Sequence, residues 1–100
     1  MATVLRRTGA DKDVLGIVDW YLEIDPELAL AFEDALRNVD AILADFPRIA
    51  AEYYGEIRRY AMPDFPYLIW YVYIEESDAV IILNVSHNRE DPARMARKFQ

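Results

Sequence analysis

The stretch from Tyr67 to Pro92, YLIWYVYIEESDAVIILNVSHNREDP, constrains this chain more than any other part of it. Two apolar blocks flank Glu75-Glu76-Ser77-Asp78, a polar break of the kind that closes a hairpin. The blocks are rich in Val, Ile and Tyr, which favour extended backbone. A lone hairpin is barely stable in water, so these strands must be the centre of a sheet that other elements cover. Tyr67 to Glu75 reads as one strand and Ala79 to Ser86 as its partner. Successive strand side chains alternate, so Leu68, Trp70, Val72 and Ile74 share one face and Tyr67, Ile69, Tyr71 and Tyr73 the other. A phenol can be half buried with its hydroxyl still hydrated, so Tyr67, Tyr71 and Tyr73 are expected to form a surface that a partner covers. In the partner strand the set Val80, Ile82, Asn84, Ser86 turns polar, while Ile81, Leu83 and Val85 stay apolar. The strand is therefore expected to leave the core at its end and deliver His87 and Arg89 to a sheet edge.

The preceding chain reads as a wrapper for this sheet. Thr3 to Arg7 is a short strand, broken at Thr8-Gly9. From Ala10 the period changes, because Val14, Ile17, Val18, Tyr21 and Leu22 make the apolar stripe of a helix that ends near Ile24. Asp25-Pro26-Glu27 then predicts a second helix start, with Asp25 as cap and Pro26 in the first turn. Its stripe is Leu28, Phe32, Ala35, Val39, Ile42 and Phe46, widened by Leu36 and Leu43, and Phe46-Pro47 ends it. Arg48 to Gly55 reads as a connection with room for one turn of helix, and Glu56 to Ala61 as a further strand. The prolines of Met62 to Pro66 mark a turn, and Pro92 can start a short last helix exposing Arg94, Arg97 and Lys98. The fold class that results is α+β, one domain over residues 1–100, with an N-terminal strand and a helical hairpin on a small antiparallel sheet and a short C-terminal helix.

Charge and composition then exclude several functions. Between Ala10 and Asp45 ten acids face only Lys12 and Arg37, whereas the remainder is nearly neutral. With a formal charge of −7, the chain lacks the basic balance of a general nucleic-acid binder. It has no cysteine and one histidine, so neither a disulfide nor a structural zinc site is expected, and the reading is of a cytoplasmic protein with no cofactor or metal. No apolar run is long enough to span a bilayer, so no membrane role is expected. Three separated glycines cannot make a phosphate-cradling loop, and adjacent Ser86 and His87 fall on opposite strand faces, poorly placed as nucleophile and base. What remains is a set of bases near strand ends, Arg58 or Arg59 with His87 and Arg89, able in principle to hold a phosphate or a partner carboxylate.

The order of these segments resembles the RelE/ParE toxin superfamily of bacterial type II toxin–antitoxin modules, the plasmid-stabilisation toxins. The matching residues are Ala10, Asp13 and Ile17-Val18-Asp19-Trp20-Tyr21, then Leu28 to Phe46 closing on Pro47, then Ile57-Arg58-Arg59-Tyr60 and Pro66 to Val72. The segment Ile82 to Pro92 is similar to the family's ending, with Arg89 at its arginine and Glu90 where many members carry another base. The resemblance spans roughly residues 4 to 95 and implies an antitoxin that wraps the toxin in a hetero-oligomer. RelE-like members are ribosome-dependent mRNA endonucleases, and here the resemblance would place Arg59, His87 and Arg89 at the reaction. ParE-like members inhibit DNA gyrase by binding it. Leu68 or a neighbour occupies the place of the nucleases' central-strand arginine, and only Met95 and Phe99 follow where a tyrosine or histidine would serve. The ParE-like reading is therefore favoured, with Tyr67, Tyr71, Tyr73, Arg89, Arg94, Arg97 and Lys98 as its contact residues for antitoxin or target. A RelE-like nuclease and a non-toxic family member that only binds an antitoxin stay open as alternatives.

Overall fold

The computed structural model describes residues 1–91, 93, 94 and 97. Strand β1 (Thr3–Arg6) leads into helices α1 (Thr8–Ile24) and α2 (Pro26–Asp45). Strands β2 (Glu52–Tyr54), β3 (Ile57–Ala61), β4 (Tyr67–Ile74) and β5 (Ala79–His87) follow, with a short 3-10 turn at Glu75–Ser77 between the last two. The five strands form one sheet in the order β1-β5-β4-β3-β2. The α+β class with a helical hairpin on a sheet is as expected, and the sheet is mixed: β1 runs parallel to β5 while every other pair is antiparallel. No helix among the described residues is long and apolar enough to cross a membrane.

The start of α2 follows the sequence, whereas α1 begins at Thr8, through the Thr8-Gly9 expected to be a break, with no side-chain cap. Asp25 accepts the Glu27 amide at 3.0 Å, and Pro26 occupies the first turn of α2. The α2 stripe keeps the expected Phe32, Leu36, Val39 and Leu43 but differs at its two ends. Ala29, Phe32, Leu36, Val39 and Leu43 are buried, whereas Leu28 and Phe46 are exposed. Spacings of three, four, three and four keep that buried set on one line of the helix, and Leu28 falls one residue off it. Within α1, Val14 is buried and Leu22 lies in the open.

The connection after α2, expected to carry at most one turn of helix, contains the strand β2. Tyr54 pairs with Ile57 across a two-residue loop in which Gly55 takes a φ of +57°, a conformation glycine enters at no steric cost. Two side chains hold the approach to this hairpin in place. The Tyr71 hydroxyl donates to the Pro47 carbonyl at 2.9 Å and accepts the Ala50 amide at 3.4 Å. Arg58 donates to the Ala50 carbonyl at 2.6 Å and reaches Glu52 at 3.5 Å. Both satisfy backbone groups that no ladder serves.

The two faces of the central hairpin settle the core. Tyr67, Ile69 and Tyr71 are buried in one cluster with Phe32, Leu36, Val39 and Leu43, so the tyrosine face of β4 is the face beneath the helices. Strict alternation fails in β5. Tyr71 pairs with Ile82 and Trp70 with Asn84, so Leu83 is passed over as a bulge. Val80 and Ile82 before the bulge and Val85 after it consequently all join the same core. A bulge disrupts the ladder locally, and the Val85 amide there is taken by a helix instead: Asp13 Oδ2 accepts it at 2.9 Å, and Asn84 Nδ2 at 3.3 Å.

Candidate functional site

The structure places the expected contact residues in three different situations. Tyr67 and Tyr71 are buried beneath the helices, so the expectation that they present an open partner surface is corrected. Tyr67 packs edge-on against Tyr21, Phe32 and His87 with ring centroids 6.3, 5.5 and 5.6 Å away. Burial first, and a hydrogen bond with Tyr21 second, push its phenol well above the ordinary range. Burial raises the Tyr71 phenol too, opposed by the Ala50 amide and the Arg58 guanidinium. Tyr73 is half-buried but engaged: its hydroxyl donates to Asp78 at 2.7 Å, and Arg48 lies over its ring at 4.9 Å while pairing with Glu75 at 3.1 Å. The bond to Asp78 is the main reason its phenol is raised. The sequence pattern could not tell which β4 face the helices cover, because both faces are apolar enough to be covered.

Arg89, Arg94 and Arg97 are exposed, and Arg94 and Arg97 are helical. Asp91 prepares this turn by accepting the Ala93 amide at 2.9 Å. Lys98, with Pro92 and Met95, lies outside the described residues.

Of the residues a nuclease would need, Arg59, His87 and Arg89, the structure does not bring Arg59 and His87 together. Arg59 pairs with Trp70 across β3 and β4, and its guanidinium stacks 4.1 Å over the Tyr53 ring and 5.9 Å from that of Trp70. His87 pairs with Tyr67, on the helix-covered face. Trp70 and Tyr67 are three residues apart on β4, an odd spacing that puts them on opposite faces about 10 Å apart along the strand. Arg59 and His87 thus sit on opposite sides of the sheet. The His87 Nδ1 accepts the backbone amide of Arg89 at 3.1 Å, which fixes the ring against the chain that follows. Among the described residues no group of three or more His, Cys, Asp or Glu side chains is placed to hold a metal ion.

Several surfaces lie open to solvent. On the sheet face away from the helices, Tyr53, Arg59 and Trp70 form a stacked row, and Trp70 Nε1 donates to the buried Ser86 hydroxyl at 2.8 Å. At the α2 exit, Phe46, Pro47, Arg48 and Ile49 line an open apolar depression of about 460 Å³, with Phe46 62% exposed. Between α1 and the end of β5 runs a groove of about 380 Å³ that includes Asp13, Trp20, His87 and Glu90. Sequence reasoning found His87 but gave Asp13 and Trp20 no role. The available signal was Trp20, a large apolar residue outside the helical stripe.

Comparison with known proteins agrees with this architecture. Residues 4–92 match the family model described as the ParE toxin of the type II toxin-antitoxin system, parDE. Among solved structures, the chromosomal ParDE system of P. aeruginosa superposes with a TM-score of 0.73 at 18% identity, covering 87% of this chain and 96% of that one. The intact E. coli RelBE toxin-antitoxin complex gives 0.58 at 15% identity, with coverage of 90% and 100%. The isolated E. coli RelE toxin gives 0.57 at 14% identity, with coverage of 99% and 98%. Among curated protein sequences none matches.

Proposed function

This chain belongs to the ParE toxin family of type II toxin–antitoxin systems, and from that premise we propose that it is a toxin that works by binding and inhibiting DNA gyrase and is neutralised by a cognate antitoxin. It acts in the cytoplasm and is held there in a toxin–antitoxin hetero-oligomer until released. The observation that carries the reading is the separation of Arg59 from His87 by the thickness of the sheet. General acid–base work on an RNA backbone needs its groups within hydrogen-bond reach of one phosphate, and these cannot share one. The nearby bases also have structural duties, since Arg58 holds the Ala50 carbonyl and Arg48 pairs with Glu75. The charge of −7 further opposes approach to a phosphate-lined ribosomal site.

The test is titration of the purified chain into a gyrase supercoiling reaction with ATP, scoring lost supercoiling and trapped double-strand breaks. Inhibition that the antitoxin reverses is the expected result. Unchanged supercoiling at large molar excess, together with translation-dependent mRNA cleavage, would move the assignment to the RelE-like activity.

A further inference from the structure

The groove between α1 and the end of β5 has three features that fold stability does not explain. The first is Gly16. It lies in the middle of a 17-residue helix, where glycine weakens the helix relative to alanine. A Cβ added there would meet nothing within 4 Å among the described residues, so none of their contacts requires the gap. The second is Trp20, one turn further along the same flank, whose indole is 58% exposed. The third is Glu90, half-buried at the opposite wall, whose carboxylate pairs with no cation among the described residues.

We infer that this groove is a docking site for a segment of the antitoxin carrying one basic side chain, which lies over Gly16, stacks on Trp20 and pairs with the carboxylates of Asp13 and Glu90. The inference rests on the antitoxin reading above and names the chemistry of one of its contacts. Charge complementarity selects the occupant. Asp13 and Glu90 outnumber Lys12 in the groove, and α1, which forms one wall, carries Asp11, Asp13, Asp19 and Glu23 against Lys12. A guanidinium or ammonium group is attracted both by this field and by an indole face. Asp13 meets the cation with the edge left by its bonds to Val85 and Asn84, both of which use Oδ2. Glycine at position 16 lets a partner backbone approach the helix more closely than any other residue would.

The experiment measures binding of the full-length protein encoded beside this chain in its operon, by calorimetry, with thermal midpoints recorded for each variant. Gly16→Phe and Glu90→Lys are each expected to weaken binding by at least about tenfold, and Trp20→Ala by about fivefold, with midpoints not lowered. A reversing substitution, Lys or Arg to Glu in the antitoxin segment, is expected to restore affinity to Glu90→Lys. Should Gly16→Phe fail to fold, Glu90→Lys decides alone, because Glu90 lies outside every helix and strand. Wild-type chain that does not bind the antitoxin removes the functional reading and this inference with it. Wild-type binding with Gly16→Phe and Glu90→Lys within about twofold of it overturns only this inference. So does loss of gyrase inhibition at unchanged antitoxin affinity, which would assign the groove to the target.

Discussion

Replacing Asp13 by Ala cuts the link between the helical hairpin and the β5 bulge. Asp13 Oδ2 accepts the Val85 amide at 2.9 Å and the Asn84 side chain at 3.3 Å. Val85 is only 5% exposed, so its amide would lose its acceptor in a largely buried setting. A hydrogen bond to a charged acceptor is worth about 1.5–3 kcal/mol, and partial exposure of Asp13 puts the expected loss at the lower end, roughly 1.5–2 kcal/mol. For a domain of this size that lowers the thermal midpoint by roughly 6–16 °C. Asp13→Asn keeps one oxygen, which in the place of Oδ2 serves both the Val85 amide and the Asn84 side chain, so only the charge of the acceptor is lost and the cost should be about 0.5–1 kcal/mol. Thermal melts followed by circular dichroism give the magnitudes, and hydrogen exchange at the Val85 amide gives the location. If Asp13→Ala melts within about 0.5 kcal/mol of wild type, as an ordinary surface substitution does, the carboxylate is not what holds the bulge. The same conclusion follows if the Val85 amide stays protected from exchange.

Four further substitutions test other parts of the structure. Tyr71→Phe strands the Pro47 carbonyl and the Ala50 amide and should cost about 1–3 kcal/mol, read from the urea midpoint. Gly16→Ala fills open space on α1 and should stabilise the fold by roughly 0.5–1 kcal/mol in the same assay. Arg59→Ala removes the stack on Tyr53 and should cost about 0.5–2 kcal/mol while leaving gyrase inhibition intact. Asp40 has its carboxyl raised by burial, with Arg6 at 3.6 Å only partly offsetting it, and Oδ1 is buried with no hydrogen-bond partner among the described residues. The folded state therefore binds this proton more tightly than the unfolded chain does. Its contribution favours folding below the unfolded-chain value and declines as pH rises toward the raised folded value. Asp40→Asn should flatten that decline, raising stability relative to wild type at neutral pH, as urea midpoints between about pH 4 and pH 7 would show.

The parts of the fold that depend on local chemistry were legible in the sequence. Asp25-Pro26 and Phe46-Pro47 bound α2 because capping and proline sterics act within a few residues. The β4–β5 hairpin was visible because its apolar runs are long. What could not be read are features set by partners far along the chain. The ends of the α2 stripe differ from those inferred, with Ala29 packed in place of Leu28 and Phe46 left exposed, because Phe46 and Leu28 are as apolar as the residues that pack and only the sheet chooses among them. The bulge at Leu83 has its explanation 70 residues earlier, in a carboxylate on α1. Strand β2 is three exposed residues held by Arg58 and a glycine turn, with no alternating pattern to betray it.

The inward orientation of the β4 tyrosines changes which surfaces are available for recognition. Tyr67 and Tyr71 spend their aromatic area in the core, and their hydroxyls on Tyr21 and on the Pro47 to Ala50 segment. Exposed aromatic surface therefore sits elsewhere, and its electrical setting differs from place to place. Trp20 stands on the acidic helical half, whereas Tyr53 lies beneath a guanidinium on the opposite side of the sheet. A basic segment is drawn to the first and opposed at the second. The two surfaces can thus discriminate between partners of different charge, and the contact at Trp20 should weaken as salt screens the helical acids.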